Sequence, residues 1–260
     1  MTGDEGVWLY AVTDATTGRT LDRRAGVAGE PLRRVEDDAL TAVVGSVPLA
    51  VFGEEPLRRN LEDLDWLEGV ARTHDAVVSA MARRGPVVPM RLATVFLDDA
   101  RVRELLAERR TDFESALALV TGRTEWGVKG YGDREALVSA VAEAAAPDGS
   151  GTGTAYLLRR RAQLSARDTV ERQTAERVEE IHRLLVREAA AGRKHPVTDP
   201  ALSGRREWML LNGSYLVDDD RAEVFAATVA GLGERFPGIR LELTGPWPPY
   251  SFAGVSREPR

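Results

Sequence analysis

Two short runs in this sequence contain residue types that could bind a phosphate or a metal cation. The glycine-rich residues 149–153 open a helical pattern and could cradle a phosphate with their backbone amides. A dinucleotide-binding loop follows a strand and a P-loop ends in Gly-Lys-Ser/Thr, and this run has neither feature. The acidic residues 218–220 lack the alternating acids and the glycine of a calcium loop. We interpret the first run as a linker and the second as a helix cap.

Two histidines have neighbours that could take part in chemistry. Glu179 and His182 form one Glu-x-x-His pair of a di-iron site, which needs a second such pair and two further glutamates. His74 lies beside Asp75 on an apolar helical stripe and could act as a general base, but no nucleophile motif accompanies it. We interpret His182 as part of a solvated helix face and His74 as a packed residue. The residues alone therefore predict no catalytic, metal or cofactor site.

A cluster of arginines is the most basic feature of the chain. It comprises residues 159–161 and Arg167, near Tyr156. A nucleic-acid-binding domain is basic overall, whereas this chain has 35 basic and 41 acidic residues and a net charge of −6. We interpret the cluster as a helix face that pairs with Asp168 and Glu171, and we expect no nucleic-acid partner.

The elements that must position these residues alternate between strands and helices. Apolar spacing and breaker residues predict strands at residues 7–13, 40–47, 87–96, 125–131, 207–217 and 239–244. They predict helices at residues 57–84, 98–120, 133–146, 154–190 and 218–236. Residues 14–38 are charged and glycine-rich, which is typical of a loop or a weak hairpin.

This order predicts an α+β protein of two domains. The first, residues 1–132, suits a ferredoxin-like arrangement, and the second, residues 133–260, contains the long helix 154–190. The 260 residues include no cysteine, which fits a reducing compartment. An acidic N-terminus and the lack of a long apolar run lead us to expect a soluble cytoplasmic protein without a lipid-membrane partner.

Apolar residues recur at seven-residue intervals along the long predicted helix. The series is Leu157, Leu164, Val178 and Leu185, and Glu171 interrupts it. Such spacing is typical of a narrow coiled-coil seam. This seam could pack within its own domain, or it could receive an amphipathic partner helix. Its four apolar residues are therefore candidate partner-binding residues.

The block near the C-terminus combines three prolines with Trp247, Tyr250 and Phe252. Proline fixes φ and biases the preceding residue toward extended backbone, so residues 245–250 should form a rigid arm. The arm could pin the last strand and cover a sheet edge, or it could present Trp247 and Tyr250 to a partner. We predict that Trp247 contributes to the fold first, so that Trp247→Ala lowers the melting temperature.

Six stretches together resemble the gas vesicle protein family F/L, in the family's order and over nearly the whole chain. They begin with Phe-Gly-Glu-Glu-Pro-Leu-Arg-Arg-Asn-Leu and include Gly-Pro-Val-Val-Pro-Met-Arg-Leu-Ala-Thr-Val-Phe; Gly-Pro-Trp-Pro-Pro-Tyr near the end is the most specific. The six stretches lie at residues 52–74, 85–96, 125–129, 155–158, 211–217 and 243–252. Gly130 departs from the family's pattern, which usually has a β-forming residue there, so this strand is expected to end early or bulge.

The resemblance implies a minor or accessory protein of gas vesicle assembly, located at the gas vesicle and in the cytoplasm. It implies contacts with the hydrophobic shell protein and with other accessory proteins, a modified ferredoxin-like first domain, and no catalytic motif. We hypothesise that the seam docks an amphipathic helix of the shell protein. The alternative is a ferredoxin-like enzyme or ligand-binding protein with an interdomain site near His74 or the glycine linker.

Overall fold

The computed structural model describes residues 4–19, 21, 24–134, 137–138, 153–197 and 208–253, with only the backbone described for Arg19 and residues 153–167. The chain forms two compact units. Unit 1 comprises Met1–Glu125 and Pro246–Arg260, and unit 2 comprises Trp126–Gly245. The predicted boundary lay between residues 132 and 133. In this division unit 1 stops at Glu125, and the residues from Pro246 onward belong to unit 1 as well.

Unit 1 contains a five-stranded sheet and five helices among the described residues. The strands are β1 (Glu5–Asp14), β2 (Arg33–Asp37), β3 (Leu40–Pro48), β4 (Val87–Pro89) and β5 (Val95–Phe96). The helices are α1 (Leu49–Phe52), α2 (Glu54–Asn60), α3 (Leu64–Ala82), α4 (Asp99–Glu108) and α5 (Arg110–Val120). The strand order is β2-β3-β1-β4, with β5 also paired to β1, and every ladder of this sheet is antiparallel.

Both faces of this sheet are covered by helices. Alternate residues of β1, such as Leu9 and Trp8, belong to two different core clusters. The first cluster includes side chains of α4 and α5, and the second includes side chains of α3. The register of β1 on β3 shifts between Leu9 and Ala11, and this β-bulge places Tyr10 and Ala11 in the same cluster. The sheet is therefore the central layer of unit 1.

Residues 14–38, predicted as a loop or a weak hairpin, take the hairpin alternative in part: they contribute the strand β2, which pairs with β3 through a tight turn at Asp38, where φ is 53°. Three other details of unit 1 differ from the predicted elements. The predicted helix 57–84 is interrupted before α3, because the Asp63 carboxylate accepts hydrogen bonds from the amides of Asp65 and Trp66. The predicted helix 98–120 is likewise two helices, and the predicted strand 87–96 is two short strands. The chain order thus departs from the β-α-β-β-α-β order of a plain ferredoxin-like unit.

Unit 2 is built around a second sheet of order β7-β8-β6-β9. Its elements are β6 (Arg123–Gly132), α6 (Gly153–Arg187), β7 (Ala191–Lys194), β8 (Trp208–Asp218), α7 (Ala222–Arg235) and β9 (Ile239–Trp247). Buried side chains of α6, α7 and β8 form its core, among them Ile181, Tyr215 and Phe225. The two antiparallel sheets with their helices confirm the predicted α+β class. None of the helices described is long and apolar enough to span a bilayer.

Gly130 neither ends nor interrupts its strand, since β6 continues to Gly132. A Cβ atom at Gly130 would lie 3.0 Å from the Cβ of Leu211 and 3.3 Å from Cδ2 of Leu241. Leucines on the neighbouring strands thus occupy the space of the missing side chain. The expected early end of this strand is wrong, because β6 continues past Gly130 to Gly132.

Candidate functional site

The last described stretch of the chain is residues 246–253, which we call the closing segment. It belongs to unit 1, although β9, which leads into it, lies in the sheet of unit 2. Gly245 precedes it with φ at +121°, a conformation that favours glycine. A compact turn follows, in which the amides of Phe252 and Ala253 donate to the carbonyl of Pro249 over 3.1 and 3.0 Å.

Two carboxylates of unit 1 hold the closing segment by hydrogen bonds. The buried Glu125 accepts from the Ser251 amide over 2.8 Å and from the Ser251 hydroxyl over 2.5 Å. The Tyr250 hydroxyl donates to Oδ1 of Asp75 over 3.2 Å. Burial and, secondarily, the Asp75 charge raise the pKa of Tyr250, so this hydroxyl stays protonated and remains a donor. Phe252 and Ala253 are both buried, which adds an apolar attachment.

Trp247 and Tyr250 are the exposed aromatic residues of this segment. Their exposed fractions are 49% and 40%, whereas Pro248 and Pro249 between them are buried. Two buried prolines thus lie between the two half-exposed rings in the segment where the prolines predicted a rigid arm. The exposed half of the Trp247 side chain buries no apolar surface and adds nothing to the stability of the fold. This weakens the expectation that Trp247 serves mainly the fold.

The predicted seam of the long helix lies partly in the core of unit 2. Leu185 is fully buried, and Val178 is half-buried against the same core cluster. The side chains of Leu157 and Leu164 lie outside the described part of the molecule. At Leu185 the seam therefore packs within its own unit, which is the first of the two predicted alternatives. This residue offers no surface to a partner helix.

The buried line along the described part of α6 is spaced by four, four, three and four residues, as on one face of a helix. Its buried residues are Val170, Thr174, Ile181 and Leu185, with the half-buried Val178 between them. Glu171, where the predicted series failed, is exposed because Val170 takes the inward position. The seven-residue pattern matched this line only at its C-terminal end.

His74 is a buried structural residue with both ring nitrogens hydrogen-bonded. The Trp8 indole donates to Nδ1 over 3.0 Å, which leaves the proton on Nε2, 3.1 Å from the Met90 carbonyl oxygen. Its ring stacks on Tyr10 at a centroid distance of 5.4 Å. Burial lowers the pKa of His74, although the Met90 carbonyl and Asp75 oppose this shift. The neutral ring packs within the sheet–helix layer, as interpreted from the sequence, and has no free nitrogen for base catalysis.

We predict that His74 makes unit 1 less stable in mild acid. Because its folded-state pKa lies below the ordinary value of 6.5, the unfolded chain binds more protons as the pH falls below 6.5. The free energy of unfolding should therefore be independent of this group above that pH and decrease below it, by at most about 1.4 kcal/mol per pH unit.

Denaturant unfolding at about pH 7.5 and about pH 5.5 measures this effect. His74→Gln keeps a donor and an acceptor without a titrating ring, so the variant should show a flatter pH dependence. His182→Gln is the comparison variant: the pKa of the less buried His182 is also lowered, by burial first and Lys194 second, so this variant should flatten the pH dependence less than His74→Gln does. An unchanged pH slope in His74→Gln would contradict the prediction.

The remaining sequence candidates are engaged in ordinary structural contacts. Glu179 forms an ion pair with Lys194, and Nδ1 of His182 lies 2.9 Å from the hydroxyl of the buried Tyr215. Within the ranges described above, no group of three or more His, Cys, Asp or Glu residues could hold a metal ion. The Asp218 side chain makes no capping bond, so the predicted cap role of the acidic run is wrong at that residue. Residues 149–152 and the side chains of 159–161 lie outside the described part.

Sequence reasoning missed the residues that attach the closing segment. Glu125 was visible only as the first residue of a predicted strand, and Asp75 only as the neighbour of His74. A carboxylate at the start of an apolar strand is a weak signal for a buried acceptor, and nothing in the sequence paired it with Ser251, 126 positions away. The arrangement holds a peptide segment and presents two aromatic rings.

The chain is similar to gas vesicle proteins over almost its whole length. A family model described as "Gas vesicle synthesis protein GvpL/GvpF" matches residues 6–254. The chain is 43% identical to gas vesicle protein L of Streptomyces sp. (strain CB03234) over 258 residues, 99% of this chain and 96% of that protein. It is 28% identical to gas vesicle protein F of the same strain over 257 residues, 94% of this chain and 98% of that protein.

A solved structure has the same fold. The crystal structure of the gas vesicle protein GvpF from Anabaena sp. PCC7120 superposes with a TM-score of 0.67 at 18% identity, covering 98% of this chain and 99% of that one. At this identity the likeness concerns the fold alone.

Proposed function

Because the chain belongs to the gas vesicle synthesis protein GvpL/GvpF family, we propose that it is a non-enzymatic accessory protein of gas vesicle assembly. It binds the hydrophobic shell protein and other accessory proteins, and it acts in the cytoplasm and at the gas vesicle. The observation that carries this proposal is the family match over residues 6–254, which includes both units and the closing segment. The higher identity to protein L than to protein F of one strain, 43% against 28%, favours an L-type role.

The shell-protein contact lies at Trp247 and Tyr250 in this proposal. A protein that keeps an apolar partner soluble has to offer apolar surface, since burial of such surface is the main attractive term in association. Both rings are accessible, and their backbone is fixed, so binding costs little conformational entropy. Tryptophan and tyrosine are also the residues most enriched in binding hot spots. The described seam residue Leu185 has no exposed surface and is not part of this contact.

The non-enzymatic role is supported by the state of the candidate side chains. His74 and His182, the two histidines considered for chemistry, each have a ring nitrogen bonded to a buried aromatic partner, Trp8 and Tyr215 respectively. Neither lies beside an activated nucleophile in the described part of the molecule. Among the described residues, the alternative of an enzyme or a ligand-binding protein finds no activated nucleophile beside either histidine.

A binding experiment with the full-length chain tests the function. Purified tagged chain is mixed with the solubilised shell protein, and the amount retained is measured by quantitative pull-down and by the shell protein that stays in solution. We expect wild-type chain to retain the shell protein. Failure of the wild-type chain to bind it, with the chain shown to be folded, would refute the proposed function.

The same experiment with Trp247→Ala tests the location of the contact. Loss of a hot-spot tryptophan costs ~2 kcal/mol or more, so the apparent Kd should rise about 30-fold or more. Val224→Ala is the matched control, because Val224 is 51% exposed on α7 of unit 2. Equal binding by wild type, Trp247→Ala and Trp247→Ala/Tyr250→Ala would refute the contact but leave the function standing.

A further inference from the structure

The Tyr250 hydroxyl and the Asp75 carboxylate form a pair at the surface of unit 1. The hydroxyl donates to Oδ1 of Asp75 over 3.2 Å, and the Ser79 hydroxyl lies 3.5 Å from Oδ2 of the same carboxylate. Asp75 is half-buried on α3, and Tyr250 is 40% exposed. An aromatic ring and a carboxylate thus lie side by side at the surface.

The Asp75 carboxylate has no cation beside it in the described part of the chain. Its polar partners there are the two hydroxyl groups. One turn earlier on α3, Arg72 is engaged in an ion pair with Glu68. Because burial lowers the pKa of the neighbouring His74 below 6.5, its ring is uncharged at neutral pH. The negative charge of Asp75 is thus not neutralised by any described residue.

Both members of this pair attract positive charge. An ionised carboxylate has about four acceptor positions, and two hydroxyl donors leave about half of them for a further donor. The face of an aromatic ring also attracts a cation, most strongly at tryptophan. Trp247, on the same closing segment as Tyr250, is 49% exposed. These groups therefore fit a guanidinium or ammonium group that has apolar neighbours.

We propose that Asp75 and Tyr250 receive an arginine or lysine side chain of the protein that binds at Trp247 and Tyr250. The inference rests on the proposed contact at these rings and adds the chemistry of the partner, an apolar surface that carries a cation. A partner without the cation would cover the Asp75 carboxylate and remove its water without supplying a counter-charge, which is unfavourable. Asp75 is therefore the specificity-determining residue of the contact.

Two short peptides test the cation site without the shell protein. The probes are acetyl-Leu-Arg-Leu-amide and acetyl-Leu-Gln-Leu-amide, titrated into the full-length chain at pH about 7.5, where histidine without a raised pKa is neutral. Solution NMR follows the Trp247 indole and the Tyr250 amide. We expect saturable shifts with the arginine peptide and a Kd at least about fivefold lower than with the glutamine peptide.

Two variants separate the charge of Asp75 from its hydrogen bond. Asp75→Asn keeps an acceptor for the Tyr250 hydroxyl and removes the charge, so it should abolish the preference for the arginine peptide. Asp65→Asn removes an exposed charge from the same helix and should behave as wild type. Equal Kd values for the two peptides in wild type, or an unchanged preference in Asp75→Asn, would overturn the proposal.

Salt provides a test that needs no variant. The preference of the wild-type chain for the arginine peptide should decrease between about 0.05 M and about 0.5 M NaCl, because salt screens an exposed ion pair. A preference that does not change with salt would overturn the ion pair with Asp75.

The shell protein distinguishes this inference from the proposed function. If the wild-type chain binds it, Asp75→Asn should raise the apparent Kd at least about fivefold and flatten its salt dependence, whereas Asp65→Asn should not. Equal binding by wild type and Asp75→Asn would overturn the cation contact and leave the shell-protein contact standing. Failure of wild type to bind the shell protein would refute the proposed function, while an arginine preference that Asp75→Asn abolishes would still support the cation site.

Discussion

Leu185→Asp is expected to unfold unit 2. The Leu185 side chain is fully buried in the apolar cluster formed by α6, α7 and β8, which also contains Ile181 and Val217. An unpaired charge in such surroundings costs several kcal/mol, and the lost leucine contributes a further ~2–5 kcal/mol. This sum is comparable to the whole stability of a domain, ~5–15 kcal/mol.

Hydrogen exchange at β8 and α7, together with thermal melting followed by circular dichroism, measures this loss. Gln173→Asp introduces the same side chain at an exposed position of the same helix, and it should melt close to wild type. A folded Leu185→Asp variant with wild-type protection at β8 would show that this helix does not pack as described. Because the expected defect is in folding, loss of shell-protein binding by Leu185→Asp would carry no information about a binding surface.

Trp8→Ala should be the most damaging single change in unit 1. Trp8 is fully buried, its indole donates to His74, and its ring contacts Phe52 edge to face at a centroid distance of 5.6 Å. Truncation of a buried tryptophan costs ~3–5 kcal/mol. It also leaves Nδ1 of His74 as a buried acceptor without its donor, which costs ~1–3 kcal/mol more.

A comparison of two tryptophans checks this prediction by denaturant unfolding. Trp247→Ala should cost less than half as much as Trp8→Ala, because Trp247 is 49% exposed and Trp8 is 0% exposed. Trp8→Phe keeps most of the volume and should isolate the cost of the lost hydrogen bond. Equal losses in Trp8→Ala and Trp247→Ala would contradict the burial difference and support the original expectation that Trp247 serves mainly the fold.

The local patterns of the sequence were enough to predict the fold class and most elements. The continuous run of β-branched and aromatic residues in β1 and the β-branched residues in β3 predicted strands, because such side chains pack well on a pleated sheet. The prolines near Trp247 predicted a rigid arm, because proline restricts its own and the preceding residue's backbone. Likewise, the lack of partners for Glu179 and His182 in a metal motif was visible from the sequence alone.

Only the tertiary structure decided which residues of the candidate site are accessible and what holds them. Leu185 and Trp247 are both apolar candidates in the sequence, yet one is in the core and the other is half-exposed. Burial depends on which elements pack together, and contacts such as Glu125 with Ser251 join residues far apart along the chain. The return of the closing segment to unit 1 is a contact of this kind. The spacing of apolar residues predicts which face of a helix or strand is apolar, but it does not predict which other element packs against that face.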